Sequence, residues 1–378
     1  MQTTICQWTK NTGWAFPPAA PKSPQLVLYF GARTTLSEDP TALQELLARF
    51  PQAAVCGCSS SGEILGDHVQ DDSVVAALVE FKTTKVRAVA EHTAAADSEA
   101  LGRRAAARLN APDLRHVLLL SDGLHINGTA LVRGMRETLA AGIAITGGMA
   151  GDGPRFQKTL VGLGSEVSEA QIVAIGLYGN DLVVGFGSRG GWEGFGPRRR
   201  ITRAEGNVLF ELDGQPALAL YKRYLGERAA GLPATGLLFP LELTEGPADT
   251  EGVVRTILAV DEDRQSLTFA GDLPQKQYVR LMKATDEQIV GGAAAAGTEA
   301  AANSIPSNSL ALMVSCVGRR LVLRQRTEEE LESALRSLPA KTESIGFYSY
   351  GEVCPSKCNG FSELHNQTMT ITLISERS

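Results

Sequence analysis

Short apolar runs alternate with helical periodicities over the first 150 residues, and this alternation narrows the fold more than any other feature. Gln25–Gly31, Ala53–Gly57, Ser73–Phe81, His116–Leu120 and Ile143–Thr146 are compact runs of strand length. Between them, Leu43, Leu46, Leu47 and Phe50 share one helical face behind Pro40. Leu101, Ala105 and Leu109 recur at i, i+4 and i+8, as do Leu131, Met135 and Leu139. This order predicts mixed α/β layers. Then the pattern changes. Thr159–Gly164, Ile172–Tyr178 and Leu182–Gly187 read as consecutive strands, and Gly179-Asn180-Asp181 supplies a tight turn, so part of the sheet is antiparallel.

A helix over Pro216–Leu225 follows, then strands over Leu237–Leu243, Val253–Val260 and Ser266–Ala270, and an alanine-rich helix over 285–302. Leu310–Val317, Glu343–Tyr350 and Leu364–Ser375 read as the last strands. Thr327-Glu-Glu-Glu330 reads as a capping box for a helix buried through Leu331, Leu335 and Leu338. The expected architecture is mixed α/β, with two related layered domains whose partly antiparallel sheets are flanked by helices. They divide near residue 215, behind a loose, Pro-rich leader over residues 1–24.

Charge and composition exclude several classes. Lys and Arg total 36 against 42 Asp and Glu, a net charge of −6, so no global attraction draws the chain to nucleic acid or anionic membrane. No apolar run approaches the ~20 residues of a membrane span, and no basic-then-apolar leader is present. Six cysteines are too sparse for a disulfide scaffold, so free thiols and a cytoplasmic location are expected.

Glycine is in excess: 39 of 378 residues, about 10% where about 7% is usual. It clusters in short loops. Gly57-Cys-Ser-Ser60-Ser-Gly62-Glu63-Ile64 and Gly346-Phe-Tyr-Ser349-Tyr-Gly351-Glu352-Val353 both read G-x-x-S-x-G-E-[I/V] after a strand, as a true repeat or as a coincidence of few positions. Gly185-Phe-Gly187-Ser-Arg-Gly190 matches G-x-G-x-x-G, but no helix can start directly after it, so it is not a dinucleotide fingerprint. Ser59, Ser60 and Ser61 miss the G-x-S-x-G spacing of a nucleophile elbow, and no histidine is singled out as partner. Cys56, Cys58, Cys354 and Cys358 could together supply thiolates to a metal, though their C-x-C and C-x₃-C spacings are not the usual knuckles. Arg198-Arg-Arg200 with Arg203 is a solvated basic face or an anion-docking patch.

The run Gly57–Ile64, the run Ser121-Asp-Gly-Leu-His-Ile-Asn-Gly128 and the loop Gly147-Gly-Met-Ala-Gly-Asp-Gly153 resemble, in order, the N-terminal FIST (F-box and intracellular signal transduction) domain. Phe347–Val353 and Leu364-His-Asn-Gln-Thr-Met-Thr-Ile-Thr372 resemble the end of the C-terminal FIST domain. The resemblance spans about residues 25–376, with the N-terminal domain over 25–215 and the C-terminal one over 216–378. It implies a bacterial-type cytoplasmic sensory protein without enzymatic activity, binding a small amino-acid-like ligand or other metabolite. The signal would pass to a separate partner such as a histidine kinase, a chemoreceptor or a cyclic-nucleotide enzyme.

The ligand-binding set that follows is Ser59, Ser60, Ser61, Gly62, Glu63, Asp122, His125, Asn127, Gly148, Gly151, Asp152, Tyr350, Gly351, Glu352, His365 and Asn366. Turn N–H groups with Ser60, Ser61, Asn127 and Tyr350 would hold a carboxylate. Glu63, Asp122, Asp152 and Glu352 would take an amino group or fix the loops. No cofactor is expected. One branch of the family resembles haem-based nitric-oxide sensors, which makes haem the alternative, with His365 and Cys354 as its candidate ligands. A small-molecule hydrolase is the other alternative.

Overall fold

Leu26, Leu28 and Phe30 face one side of their strand, Val27 and Tyr29 the other, and all five are buried. A strand covered on both faces reads as a continuous apolar run, and the fold repeats this layout three times. The computed structural model describes residues 1–93, 97–249, 252–302, 304–305, 307–356 and 360–377.

Three sheets are each built on a parallel pair of strands. Leu26–Ala32 runs beside Ala54–Ser60, Leu114–Ser121 beside Ala144–Met149, and Ser309–Cys316 beside Thr342–Ser349. Two antiparallel strands extend each pair on one side. They are Val74–Glu80 and Gln2–Thr9 in the first sheet, Gln171–Tyr178 and Lys85–His92 in the second, and Met369–Glu376 and Leu182–Arg189 in the third.

On the other side each pair receives a hairpin, and the hairpin comes from the chain leaving a different sheet. After Ala54–Ser60 the chain crosses to the third sheet as Glu63–Leu65 and His68–Gln70. After Thr342–Ser349 it crosses to the second as Gly351–Pro355 and Ser362–His365. After Ala144–Met149 it crosses to the first as Val161–Leu163 and Glu166–Ser168. This cyclic exchange closes the three sheets into a ring. Their inner faces share one core, in which Phe30 stacks on Phe347 at 4.6 Å between centroids.

Helices cover the outer faces: Thr41–Arg49 on the first sheet, Ser98–Leu109 and Gly128–Thr138 on the second, Asp286–Ala301 and Thr327–Arg336 on the third. The sheets thus interleave segments from both sides of residue 215. Residues 193–283 form an inserted lobe, an antiparallel sheet with the helix Ala217–Leu225 and its own core of Leu209, Leu218, Leu267 and Phe269. The mixed α/β class, with partly antiparallel sheets flanked by helices, is as the sequence pattern predicts.

Several expectations are corrected. Residues 1–24 are not a loose leader throughout: Gln2–Thr9 pairs with Val74–Glu80 and buries Cys6 and Trp8. Its other face stays partly exposed and polar, which hides an edge strand from composition. Thr327 does not cap the helix it begins. Its hydroxyl turns back to the Arg324 carbonyl, and Glu330 is buried against Arg319 instead. The capping box belongs to Thr285 and Gln288, ahead of the alanine-rich helix. Ala234–Leu238 is a 3₁₀ turn, with the strand beginning only at Leu241. Val253–Val260 and Leu364–Ser375 each divide into two strands.

Candidate functional site

The ends of the three second-position strands meet at one end of the ring. Register makes Gly57, Gly147 and Gly346 equivalent, each beside the first strand of its pair, at Tyr29, Leu119 and Met313. A Cβ there would stand 2.1, 2.0 and 1.7 Å from the carbonyl oxygens of those residues, so only glycine lets the strands approach this closely. The echo seen twice in the sequence is therefore one of three equivalent turns.

Four residues further on, three backbone amides close a cycle. Ser61 N–H donates to the Tyr348 carbonyl at 2.8 Å, Tyr350 N–H to that of Met149 at 3.2 Å, and Gly151 N–H to that of Ser59 at 3.0 Å. Ser59 adds a hydroxyl bond to the Gly151 carbonyl at 2.8 Å.

Two of the turns carry the same buried station. The Ser60 hydroxyl donates to Glu63, whose other oxygen accepts from the Ser73 hydroxyl at 3.0 Å and the Ser73 N–H at 3.3 Å. The Ser349 hydroxyl donates to Glu352 at 2.5 Å, and Thr368 supplies its hydroxyl at 3.0 Å and N–H at 3.2 Å. Burial pushes both carboxyls up to about 8, against the pull of these hydrogen bonds. The third turn has Ala150 in place of the serine and Val161 in place of the glutamate, with the loop 152–159 inserted between them.

The stations differ in what covers them. Over Glu352 lies the inserted lobe: Gln367 Nε2 donates to the Leu237 carbonyl at 2.8 Å, and Thr256 N–H to Asn366 Oδ1 at 3.4 Å. Over Ser60, Ser61, Gly62 and Glu63 is an open cleft of about 710 Å³, bordered also by Arg155, Arg320, Arg324, Asp71 and Asp72. Arg320 donates to the Ser61 carbonyl at 2.6 Å and to both oxygens of Asp71 at 2.9 and 2.6 Å. Its guanidinium lies where a side chain on Gly62 would stand, 2.4 Å from an added Cβ. Arg155 pairs with the fully buried Asp152 at 2.7 Å, which also holds Arg33 at 3.3 Å. Arg324 forms no ion pair with any described residue.

The remaining expected residues are placed apart from this cleft. Asp122 closes the turn after Leu114–Ser121, accepting from the N–H groups of Leu124 and His125 at 2.7 Å and of Ala170 at 2.9 Å. Its carboxylate also meets His125 Nδ1 at 3.2 Å. Asn127 caps the helix Gly128–Thr138 and reaches Asp272 of the inserted lobe at 2.7 Å. Gly148 packs against Val314, and Gly351 against Leu364 and Met149. Tyr350 stacks on Phe156 at 4.3 Å and donates to the Gly153 carbonyl at 2.8 Å, which holds the inserted loop in place. His365 borders a second cleft, of about 640 Å³, with Nε2 at 3.0 Å from the Cys354 carbonyl. Burial disfavours its charged form.

Cys56 and Cys58 lie in the central core and Cys354 on a strand of the second sheet, all with thiols pushed up by burial; Cys358 lies outside the described residues. Among the described residues no three His, Cys, Asp or Glu side chains converge as metal ligands. The basic cluster is largely neutralised in place, Arg198 by Glu242, Arg199 by Asp213 and Arg203 by Glu211. Sequence reasoning did not find the cleft arginines. Their one local signal is Arg319-Arg320, an adjacent pair directly after a fully buried strand.

No helix among the described residues is long and apolar enough to cross a membrane. No curated protein matches the sequence significantly. Among solved structures, a cyanuric acid hydrolase from A. caulinodans is similar at 9% identity over 100% of this chain and 99% of its own, with a TM-score of 0.34, a likeness too distant to carry an argument. Residues 25–215 match the FIST N domain and residues 217–355 the FIST C domain. On those two matches, which follow each other along most of its length, the chain belongs to the FIST family of signal-transduction sensor domains.

Proposed function

We propose that this chain senses a small carboxylate-bearing, amino-acid-like metabolite in the cleft over Ser60–Glu63 and passes the signal to a separate partner. The partner would be a histidine kinase, a chemoreceptor or a cyclic-nucleotide enzyme. The observation that carries the reading is the convergence of Arg155, Arg320 and Arg324 on one open station while the equivalent station is covered. Asp71 pairs with Arg320 and Asp152 with Arg155, which leaves Arg324 as the cation of the cleft without a carboxylate among the described residues, and a carboxyl pushed up to about 8 leaves Glu63 largely neutral near pH 7. A carboxylate entering the cleft would exchange water for charge-assisted hydrogen bonds. Five described cysteines are free and buried, which supports a reducing, cytoplasmic setting.

Binding rather than turnover is the proposed mode. The Ser60 hydroxyl is committed to Glu63, and no histidine bonds to it among the described residues. Thermal-shift titration with amino acids and organic acids tests this. A carboxylate ligand should raise the melting temperature, and Arg320→Ala should abolish the rise. Absence of any shift, with hydrolysis of a generic ester that Ser60→Ala stops, would sink it.

A second reading rests on His365. Its Nε2 bond to the Cys354 carbonyl fixes the ring, as the outer nitrogen of an axial haem ligand is commonly fixed. The Cys354 thiol, held protonated by burial, fits that role poorly. Reconstitution with haem decides: a Soret band lost in His365→Ala supports it, and no band removes it.

A further inference from the structure

The second sheet ends at the strand Lys85–His92, which pairs with Gln171–Tyr178 along one edge only. Thr93 N–H donates to the Ala170 carbonyl in continuation of that ladder, so the backbone groups of Glu91, Val89 and Arg87 turn toward the sheet. Those of His92, Ala90, Ala88 and Val86 turn away from it. One end of this outer edge is closed. Arg108 donates to the Ala90 carbonyl at 3.0 Å, Arg104 to that of His92 at 3.3 Å, and His92 Nε2 meets Glu166 at 2.7 Å. The other end is open: among the described residues no group bonds to the outward N–H or carbonyl of Val86 or Ala88. In the first sheet, by contrast, the equivalent outer strand Gln2–Thr9 is extended by Gly13–Trp14.

A cleft of about 650 Å³ lies along the open end, between Val86 and Ala88 and the margin of the first sheet at Ala53, Ala54 and Leu163. Among the described residues its lining carries Lys82 and Lys85 and no carboxylate. Both lysines and Arg87 are exposed, and none of the three forms an ion pair with a described residue. Glu376, from the third sheet, is committed to the backbone amides of Lys82, Thr83 and Thr84 at 2.7, 3.0 and 2.7 Å, and Asp181 to the Thr83 hydroxyl at 3.0 Å.

We propose that the open edge over Val86–Ala88 is a docking site for an acidic, extended segment of a partner protein, which adds as a further strand to the second sheet. An unpaired edge is a template for strand addition, and charge decides which strand it accepts. Like charges set across a ladder destabilise it and opposite charges stabilise it. A second copy of this edge is therefore disfavoured, because two-fold pairing would bring both sets of Lys85 and Arg87 together. An acidic strand turns the same cations into cross-strand partners, while its main chain bonds to Val86 and Ala88. Ala53, Ala54 and Leu163 offer apolar surface to its alternate side chains. The site names how a partner docks and does not depend on what the cleft over Ser60 binds.

The test uses the full chain and a fluorescent hexapeptide of alternating glutamate and valine, compared by anisotropy with its lysine–valine counterpart. The acidic peptide should bind and the basic one should not. At saturation, amide exchange at Val86 and Ala88 should slow at least tenfold, which a purely electrostatic surface contact would not cause. Lys85→Glu combined with Arg87→Glu should weaken the acidic peptide at least tenfold and admit the basic one. Ala88→Pro removes one outward N–H at an edge position where proline is tolerated, and it should also weaken binding at least tenfold. If Ala88→Pro does not fold, the charge reversal decides. No binding of the acidic peptide, binding indifferent to the charge reversal, or binding without exchange protection overturns the proposal. So does dimerisation of the chain alone that Ala88→Pro abolishes, since it would assign the edge to a second copy.

Discussion

Glu63 and Glu352 are glutamates in a place where carboxylates are seldom found, 1% and 0% exposed with hydroxyls and amides around them but no cation among the described residues bonded to either. Their hydrogen bonds favour the charged form and burial opposes it, and burial dominates, raising both from 4.5 to about 8. The sign of the consequence follows from linkage. Between those values the folded protein keeps protons that the unfolded chain has released, so stability falls as pH rises from about 4.5 through 8. Each carboxyl can contribute at most about 1.4 kcal/mol per pH unit. Melting temperature followed from pH 5 to 9 should decline, and Glu63→Gln or Glu352→Gln should flatten the decline while keeping a side chain of the same shape. An unchanged slope in both variants would show that neither carboxyl is held protonated. The repeated S-x-G-E marks both glutamates in the sequence as equivalent positions. Their neutrality is not marked there, since it depends on strands from other sheets burying them.

The glycines Gly185 and Gly187 match part of a G-x-G-x-x-G pattern that the sequence leaves unexplained, and in the structure they are a packing surface. A Cβ on Gly185 would lie 1.9 Å from the Ala300 carbonyl oxygen, and one on Gly187 2.1 Å from that of Ala296. The alanine-rich helix Asp286–Ala301 therefore lies directly on the strand Leu182–Arg189, with small residues on both sides of the contact. Neither segment reveals this alone: the apolar run Leu182–Gly187 suggests only a strand, and an alanine run suggests only helix propensity. Gly187→Ala should destabilise by about 1–3 kcal/mol through overpacking. Gly291 is on the same helix with open space around its Cα. There the same substitution should stabilise by roughly 0.5–1 kcal/mol by removing backbone entropy. Urea denaturation midpoints moving in opposite directions would verify the pair, whereas a neutral Gly187→Ala would mean the helix can shift aside.

At the scale of the molecule, individual strands were readable from apolar runs, but their cyclic exchange was not. Pairing of Glu63–Leu65 with Thr342–Ser349 joins segments nearly three hundred positions apart, and no local pattern encodes it. The third copy of the turn was hidden because Ala150 and Val161 replace its serine and glutamate, leaving Gly147 as the surviving mark. The exchange has a consequence for cooperativity. Each sheet is completed by a hairpin of another, so none can open without stripping its neighbour, and the amides of Ser61, Gly151 and Tyr350 bond around the full cycle. The inserted lobe instead has its own core and meets the ring through a few contacts such as Gln367 with Leu237 and Asn127 with Asp272. Native-state hydrogen exchange should therefore give the three ring amides one common opening free energy and one denaturant dependence, equal to those of global unfolding. Buried amides of the lobe, such as those of Leu209 and Phe269, should exchange through a smaller, separate opening. Distinct free energies for the three ring amides would show that the sheets open independently despite the shared hairpins.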